Sequence, residues 1–161
     1  MFGMDERLSK GHMNILEQQS FELFSLAFLL TGDTERSVVA FDRALDHDET
    51  ENARELVIGE ALGTMRTELR TSRQRTAARG EEFHEAKLQT RPEIAQEEFE
   101  EAVISIDAFP RCAMLLTIFE GMSIRAASAL LNADEALTRV AQRIGIVELT
   151  RNLTAPALQV G

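Results

Sequence analysis

The sequence has few residues of the kinds that cross-link a chain or bind metals. It contains one cysteine, three histidines and three prolines among 161 residues, and it has no tryptophan or tyrosine. The single cysteine, Cys112, excludes an internal disulfide bond. Because Cys112 lies in an apolar segment, we expect a small buried side chain there. With the histidines far apart in sequence, we expect neither a metal site nor a cofactor.

Long apolar runs are also missing. The longest run, from Leu26 to Leu30, is much shorter than the roughly 20 residues that a transmembrane helix needs. The opening residues, MFGMDERLSKGHM, lack the apolar core of a signal peptide. We therefore expect a soluble cytoplasmic protein without a membrane partner. The hydrophobic content of 44% is typical of a globular chain, and the length suffices for one ordinary domain or two small ones.

Positive charge is scarce except in one segment. The formal net charge of −10 argues against a general affinity for nucleic acids. Between residues 66 and 79, however, five arginines occur with a single acidic residue, Glu68. Arg66, Arg70 and Arg73 are four and three residues apart, a spacing that puts them on one face of a helix. The chain is thus acidic with one basic helix.

Enzyme motifs are absent from the sequence as well. The acidic pairs Glu97–Glu98 and Glu100–Glu101 begin a predicted helix, where negative charge interacts well with the helix dipole, so we interpret them as a solvated face. There is no glycine-rich phosphate loop, and no nucleophile motif surrounds Ser123. We expect no enzyme and no small-molecule substrate.

Apolar periodicity predicts an all-α fold. No segment alternates apolar and polar residues at the period of two that a half-buried strand requires. Apolar residues recur at helical steps instead, which predicts helices over 13–30, 34–46 and 51–73. In the second of these, Val38, Phe41 and Leu45 define the expected inner face. In the third, Gly59 and Gly63 each weaken the helix by about 1 kcal/mol relative to alanine, which predicts a kink or a close helix contact.

Turn and capping residues divide the last third of the chain into three helices. Pro110 suits the first position of a helix, where its missing N–H costs nothing. Gly121 suits a helix end in the left-handed conformation, and Ser123 then suits an N-cap. Asn132 and Asp134 repeat the same pair of signals before the last helix.

A short helix over 124–131, a tight turn and a longer helix over 134–150 have the outline of a helix-turn-helix. Such a unit lays its second helix in the major groove of DNA. The polar stretch after the basic helix reads as a linker, so the sequence predicts two small helical domains. The predicted divisions are a first domain 1–74, a linker 75–92, a helix-turn-helix domain 93–153 and a tail 154–161.

Two segments resemble the extracytoplasmic-function sigma factors. LFSLAFLLTGDTERSVVAFDRAL is similar to their first conserved region, in which a helix ends in a Leu-Thr-Gly-Asp-like turn and precedes a helix that binds RNA polymerase. FPRCAMLLTIFEGMSIRAASALLNADEALTRV is similar to their promoter-reading C-terminal region. The residues that carry this second match are Phe109, Pro110, Arg111, Glu120, Gly121, Met122 and Ser123. The resemblance covers nearly the whole chain in the right order.

The resemblance implies a transcription initiation factor that binds core RNA polymerase and promoter DNA, with an anti-sigma factor as a further partner. It implies one group of contacts for the polymerase, one for the minus-ten promoter element and one for the minus-thirty-five element. The residues in these groups are Asp42 and Arg43 for the polymerase, Arg66, Arg70 and Arg73 for the minus-ten element, and Arg125, Arg139 and Arg143 for the minus-thirty-five element.

The sequence departs from the family pattern in two places. Val39 and Asp42 stand where the polymerase-binding helix usually has an Asp and a Gln. Promoter melting in the family commonly uses aromatic residues near the third helix, and here no phenylalanine lies between Phe41 and Phe83. These departures support an alternative, a degenerate sigma-like module that binds an anti-sigma factor or another regulator without reading promoters. A dimeric helical DNA-binding regulator is a third interpretation.

Two registers are open for the recognition helix. An ungapped match puts Arg139 on the usual lysine of the family and leaves Thr138 where an apolar residue belongs. A shift of one residue puts Leu137 in the core and Thr138 on the lysine. We expect Arg139 to be exposed and Leu130 to lie in the core of the helix-turn-helix.

Overall fold

The computed structural model describes residues 19–46, 52–79 and 94–154, and all regular structure in these ranges is helical. The prediction of an all-α fold is confirmed. In chain order the helices are α1 over 19–31, α2 Thr34–Leu45, α3 Ala53–Gly63, α4 Arg66–Arg79, α5 Gln96–Ile104, α6 Ala108–Met114, a π-helical turn Leu115–Phe119, α7 Ile124–Leu131 and α8 Glu135–Thr154. None of the described helices is long and apolar enough to cross a membrane.

One predicted helix is two helices in the structure. α3 ends at Gly63 and α4 begins at Arg66, because the chain turns at Thr64 and Met65. The Thr64 hydroxyl donates a hydrogen bond to the backbone oxygen of Ala61 at 2.7 Å. The Met65 side chain is fully buried, so the turn contributes an apolar residue to the core. The basic residues 66–79 therefore form a separate helix with its own direction of packing.

Of the two alternatives expected at Gly59 and Gly63, the kink occurs, as the break directly after Gly63, and the close helix contact does not. A Cβ atom at either glycine would meet no heavy atom within 4 Å. At Gly145 in α8, a Cβ atom would lie 2.7 Å from the backbone oxygen of Pro110 and 2.8 Å from Met114 Cβ. Because residue 145 has no side chain, α8 packs directly on the backbone of α6.

Two boundaries in the middle and at the end of the chain differ from the predicted ones. Residues 75–79, expected to begin the linker, are the last residues of α4, and 80–92 lie outside the described residues. Thr154, expected to begin the tail, is the last residue of α8, and 155–161 lie outside the described residues. α4 continues through polar residues because Arg75 and Arg79 pair with carboxylates of the second half.

Pro110 occupies the third position of α6 and not the first. The helix begins at Ala108, and the Asp107 side chain accepts a hydrogen bond from the backbone N–H of Ala108 at 3.1 Å. The expected position was wrong, but its physical reason still holds, because the first N–H groups of a helix have no acceptor within the helix.

The inner face of α2 differs from the predicted one. Its buried residues are Ser37, Ala40 and Ala44, whereas Val38 is 44% exposed and Leu45 is 60% exposed. The buried residues are all small, which lets α2 approach its neighbours α1 and α3 closely. The hydroxyl of Ser37 is satisfied by the Asp33 backbone oxygen at 2.6 Å, so its burial leaves no polar group unpaired.

The main hydrophobic core draws on both halves of the chain, which we define as the described residues up to 79 and from 94 onward. The first half contributes Leu30, Leu62, Met65 and Leu69, and the second contributes Val103, Phe109, Met114, Leu116 and Leu131. α6 is at the centre, with every residue buried, and packs against α4 and α8. A smaller cluster of Ala27, Ala44 and Val57 lies within the first half. The division into two domains remains a prediction, while the described residues of both halves pack together.

Candidate nucleic-acid interface

The segment over α7 and α8 has the local geometry that its sequence predicts. Gly121 has a φ of +72° and Asn132 a φ of +53°, so both adopt the left-handed conformation expected of them. The Ser123 hydroxyl accepts a hydrogen bond from Ala126 N at 3.1 Å, which caps α7. The Asp134 carboxylate accepts one from Leu137 N at 2.7 Å, which caps α8. α7 and α8 are thus two separate helices joined by a tight turn.

α8 buries one side and exposes the other. Thr138 is completely buried, and its hydroxyl donates to the Asp134 backbone oxygen at 2.8 Å. Leu137 is half-buried and packs against the core. Arg139 and Arg143, one helical turn apart, are exposed. The burial of Thr138 agrees with the ungapped register, which puts Arg139 toward solvent.

The expectation for Leu130 is wrong, because the side chain is 44% exposed. α7 instead buries Ala127, Ser128 and Leu131. Successive members of this set lie one and three positions apart, on the face that packs against α6 and α8. Leu131 therefore occupies the core position that was expected for Leu130.

Arginines of the first half pair with groups of the second half. Arg54 reaches Glu120 and Arg75 reaches Asp107, both with contacts of 2.5 Å. Further along α4, Arg79 contacts Glu148 at 2.7 Å, and Arg73 donates to the backbone oxygen of Leu131 at 3.0 Å. We call these contacts, together with those of Arg111 described next, the junction between the halves.

Arg111 lies inside the molecule and joins the two halves from the other direction. Its side chain is only 3% exposed. The guanidinium donates to the Leu30 backbone oxygen at 3.0 and 3.2 Å and to the Ile106 backbone oxygen at 2.7 Å. Next to it, Cys112 is buried as expected, and burial raises the pKa of its thiol to about 12. The sequence signal for Arg111 was a lone arginine in the apolar run FPRCAMLL.

The electrostatics of the junction favour the charged forms of its residues. Burial alone raises the pKa of Asp107, but hydrogen bonds from Arg75 and Ser72 and the positive charge of Arg75 outweigh it, so the pKa is lowered. The hydrogen bond to Glu120 raises the pKa of Arg54, against the opposing effect of burial. Both arginines are exposed in part, so these contacts are screened by solvent and are individually weak.

The predicted DNA-contacting arginines form two groups in space. Arg66, Arg70 and Arg73 line a groove of about 400 Å³ whose other side includes Leu130 and Asn132, at the turn between α7 and α8. The three arginines of α7 and α8 do not line this groove. The structure thus brings the first group beside the turn between α7 and α8 and leaves the second group on other surfaces.

Free positive charge remains at a small number of arginines. Arg66, Arg70, Arg125, Arg139 and Arg143 are exposed, and none of them contacts an acidic residue within the described parts of the chain. The resemblance assigns all five of these residues to DNA, and Arg43 on α2 is a further exposed arginine without an acidic partner among the described residues.

The residues implied for polymerase contact lie on α2. Asp42 and Arg43 are both exposed, near the end of the helix. Their neighbours Val38, Val39 and Leu45 are exposed apolar side chains. The outer face of α2 is therefore mixed, with apolar and charged groups side by side.

Within the ranges described, no three His, Cys, Asp or Glu residues come close enough to hold a metal ion.

Comparison with known proteins gives a fold and little else. No family model and no curated protein matches the sequence. Among solved structures, the chain is similar to the sigma factor RpoE from Bartonella quintana, which was crystallised in complex with the anti-sigma factor NepR. The TM-score is 0.56 at 13% sequence identity, and the alignment covers 90% of this chain and 98% of the other.

The chain has a sigma-factor-like fold. The alignment covers 90% of the chain, so the likeness of the backbone extends over both halves. At this level of identity the comparison concerns the course of the backbone. The roles of individual side chains are argued from their own surroundings.

Proposed function

We propose that the protein is a sigma-like transcription factor that contacts promoter DNA through α8 and binds core RNA polymerase through α2. The observation that carries the proposal is the exposed face of α8, where Arg139 and Arg143 lie one turn apart without an acidic partner among the described residues. In a chain with a net charge of −10, such a face is unusual. Guanidinium groups at this spacing suit guanine edges and phosphates in a major groove.

The proposed DNA contact is modest in size. Arg125, Arg139 and Arg143 supply at most three phosphate or base contacts. Asp134 and Glu135 at the start of α8 repel phosphates, and their role at that position is to cap and charge the helix end. Three neutralised phosphates give a plot of log affinity against log salt concentration with a slope of about −3. We therefore expect weak binding with a shallow salt dependence.

Polymerase binding is supported by the outer face of α2. Single exposed leucines or valines are common on any protein surface. Several exposed apolar residues close together, bordered by charged ones, are instead typical of a protein-binding surface. Here Val38, Val39 and Leu45 are exposed on one short helix together with Asp42 and Arg43. The resemblance independently assigns the polymerase contact to this helix.

A crossed pair of variants tests both contacts. Arg139→Gln with Arg143→Gln should weaken binding to promoter duplexes at least tenfold per lost contact and leave retention on core polymerase unchanged. Asp42→Asn with Arg43→Gln should do the reverse, and this pair also controls for loss of an exposed arginine. DNA binding is measured by fluorescence anisotropy at several salt concentrations, and retention by pull-down of core polymerase. Equal DNA affinity for both double variants contradicts the assignment to α8.

The packing of the two halves limits how promoter DNA can be read. A packed body of this length has a diameter of about 40 Å, from a radius of gyration of about 15 Å. Elements ten and thirty-five base pairs from a start site are separated by about 85 Å of duplex, at 3.4 Å per base pair. With its halves together, the protein reaches one element at a time, and reading both requires the junction to open.

A second candidate function follows from that limit. A sigma-like module that keeps its halves together can bind an anti-sigma factor or another regulator without reading a promoter. The junction contacts of Arg54, Arg75 and Arg79 and the shared core favour it. Duplex binding without sequence preference, combined with no retention of core polymerase at low salt, selects this candidate over the first.

A further inference from the structure

The groove between α4 and the turn that joins α7 to α8 has the size of a small-molecule site. Its volume is about 400 Å³, within the roughly 300–1,000 Å³ typical of ligand pockets. One wall is the face of α4 that carries Arg66, Arg70 and Arg73. The opposite wall includes Leu130 and Asn132. A molecule in this groove touches both halves of the chain at once.

The charge of the groove has a single sign. All charged residues that line it are arginines, and none of the described lining residues is acidic, although the chain has 27 acidic residues and 17 basic ones. Arg73 uses one donor on the backbone oxygen of Leu131, across the groove. Arg66 and Arg70 are exposed and have no acidic partner in the part of the chain that the structure describes. Each guanidinium can donate a pair of N–H hydrogen bonds from either of two edges. Arg66 and Arg70 together therefore offer four such edges to an anion.

The rest of the lining is apolar or lacks a side chain. Leu130 supplies exposed apolar surface, and the nearly buried Leu62 and Leu69 also line the groove. Gly59 and Gly63 leave the α3 side of the groove open, because a Cβ atom at either position would touch nothing within 4 Å. An apolar surface beside arginines accommodates a flat organic group attached to phosphates better than a bare inorganic ion.

We propose that this groove binds a phosphorylated small molecule of nucleotide size, with its phosphates on Arg66 and Arg70 and its organic part against the leucines. Because the ligand contacts α4 on one side and the α7–α8 turn on the other, binding stabilises the packed arrangement of the halves. The site is independent of the proposed promoter contact, which uses Arg139 and Arg143 on a different surface.

Calorimetry and thermal unfolding of the purified full chain test the site, with inorganic pyrophosphate and ATP as probes at constant ionic strength. We expect saturable binding of one molecule per chain, tighter for ATP than for pyrophosphate. We also expect a rise in Tm of about 5–10 °C at one hundred times the Kd. Arg66→Gln with Arg70→Gln should weaken binding at least tenfold. Arg139→Gln with Arg143→Gln, which removes the same charge elsewhere, should leave it within twofold.

A second variant separates the organic part from the phosphates. Gly59→Leu adds a side chain to the open side of the groove, at a helical position where its Cβ atom meets no heavy atom within 4 Å, and an unchanged Tm without ligand checks that the fold is retained. It should weaken ATP binding at least tenfold and change pyrophosphate binding less than twofold. Equal losses with both arginine pairs, or no saturable binding of either probe, overturn the proposal.

A short single-stranded oligonucleotide without terminal phosphates covers the other source of phosphate groups. If the oligonucleotide binds in an Arg66- and Arg70-dependent manner and neither free probe does, the groove is a nucleic-acid contact and the small-ligand site is refuted. The promoter proposal is tested separately, by duplex binding of the α8 variants. If that proposal fails, the result for the groove is unaffected.

Discussion

Arginines at the junction and arginines on the outer face of α7 and α8 do opposite things with the same chemical group. At the junction, Arg75 and Arg79 have carboxylate partners and Arg111 is buried on backbone oxygens. On the outer face, Arg139 and Arg143 have no acidic partner among the described residues and extend into solvent. The first group holds helices together, and the second remains available for a partner. Variants that remove one arginine from each group therefore test the functional assignment.

The largest difference is expected between Arg111 and Arg139. Arg111→Ala leaves a cavity and removes the donors of the buried Leu30 and Ile106 backbone oxygens. We expect it to lower the free energy of unfolding by about 4–5 kcal/mol, measured by urea denaturation. Arg139→Ala should change it by no more than about 0.5 kcal/mol, because that side chain is exposed. Similar costs for both variants contradict the distinction between the two groups.

Leu131 and Leu130 give the same contrast between neighbours in sequence. Leu131 is 1% exposed and belongs to the core shared by both halves, whereas Leu130 lines the open groove. Leu131→Ala should destabilise the protein by about 2–5 kcal/mol, and Leu130→Ala by less than about 1 kcal/mol. Thermal or chemical unfolding of the two variants measures both values. If Leu130→Ala costs as much, α7 is rotated relative to the orientation described above.

The glycines extend the comparison to the backbone. Gly145→Ala puts a methyl group against the Pro110 backbone oxygen at 2.7 Å, so α8 has to move away from α6. We expect a loss of about 1–3 kcal/mol of stability. Gly59→Ala, also inside a helix but with free space around it, should stabilise the protein by up to about 1 kcal/mol. A gain in stability from both substitutions contradicts the close packing of α8 on α6.

The sequence predicted the second half of the molecule better than the first, and the reason is the range of the interactions. Helix ends at Gly121, Ser123 and Asn132 depend on neighbouring residues, so capping chemistry locates them to within a residue. The inner face of α2 depends on how closely another helix approaches. There the small residues Ala40 and Ala44 displaced the larger apolar ones that periodicity favours.

The residues of the candidate site also differ in whether local sequence or long-range packing determines their surroundings. The exposure of Arg139 was expected from its match to the usual lysine of the family, and the burial of Thr138 in the structure agrees with that register. The groove that joins Arg66 and Arg70 to Asn132 depends on packing between segments about 60 residues apart, which no local pattern encodes. The role of Arg111 likewise depends on Leu30, in the other half of the chain.

The smallest expected effect concerns the ion pair of Arg75 and Asp107 at the junction. Because the pKa of Asp107 is lowered in the folded protein, the pair stabilises the fold above the ordinary carboxyl pKa of about 3.9. That stabilisation is lost as the pH falls through the lowered value. Solvent screens the pair because Arg75 is exposed, so the gain in stability is small. Asp107→Asn should be less stable than the parent by a constant amount from pH 5 to 7, and the difference should shrink below about pH 4.

Urea denaturation across that range measures this difference, with Arg75→Gln as the matched variant from the other partner. A difference that changes between pH 5 and 7 assigns the effect to another group and removes this pair from the junction.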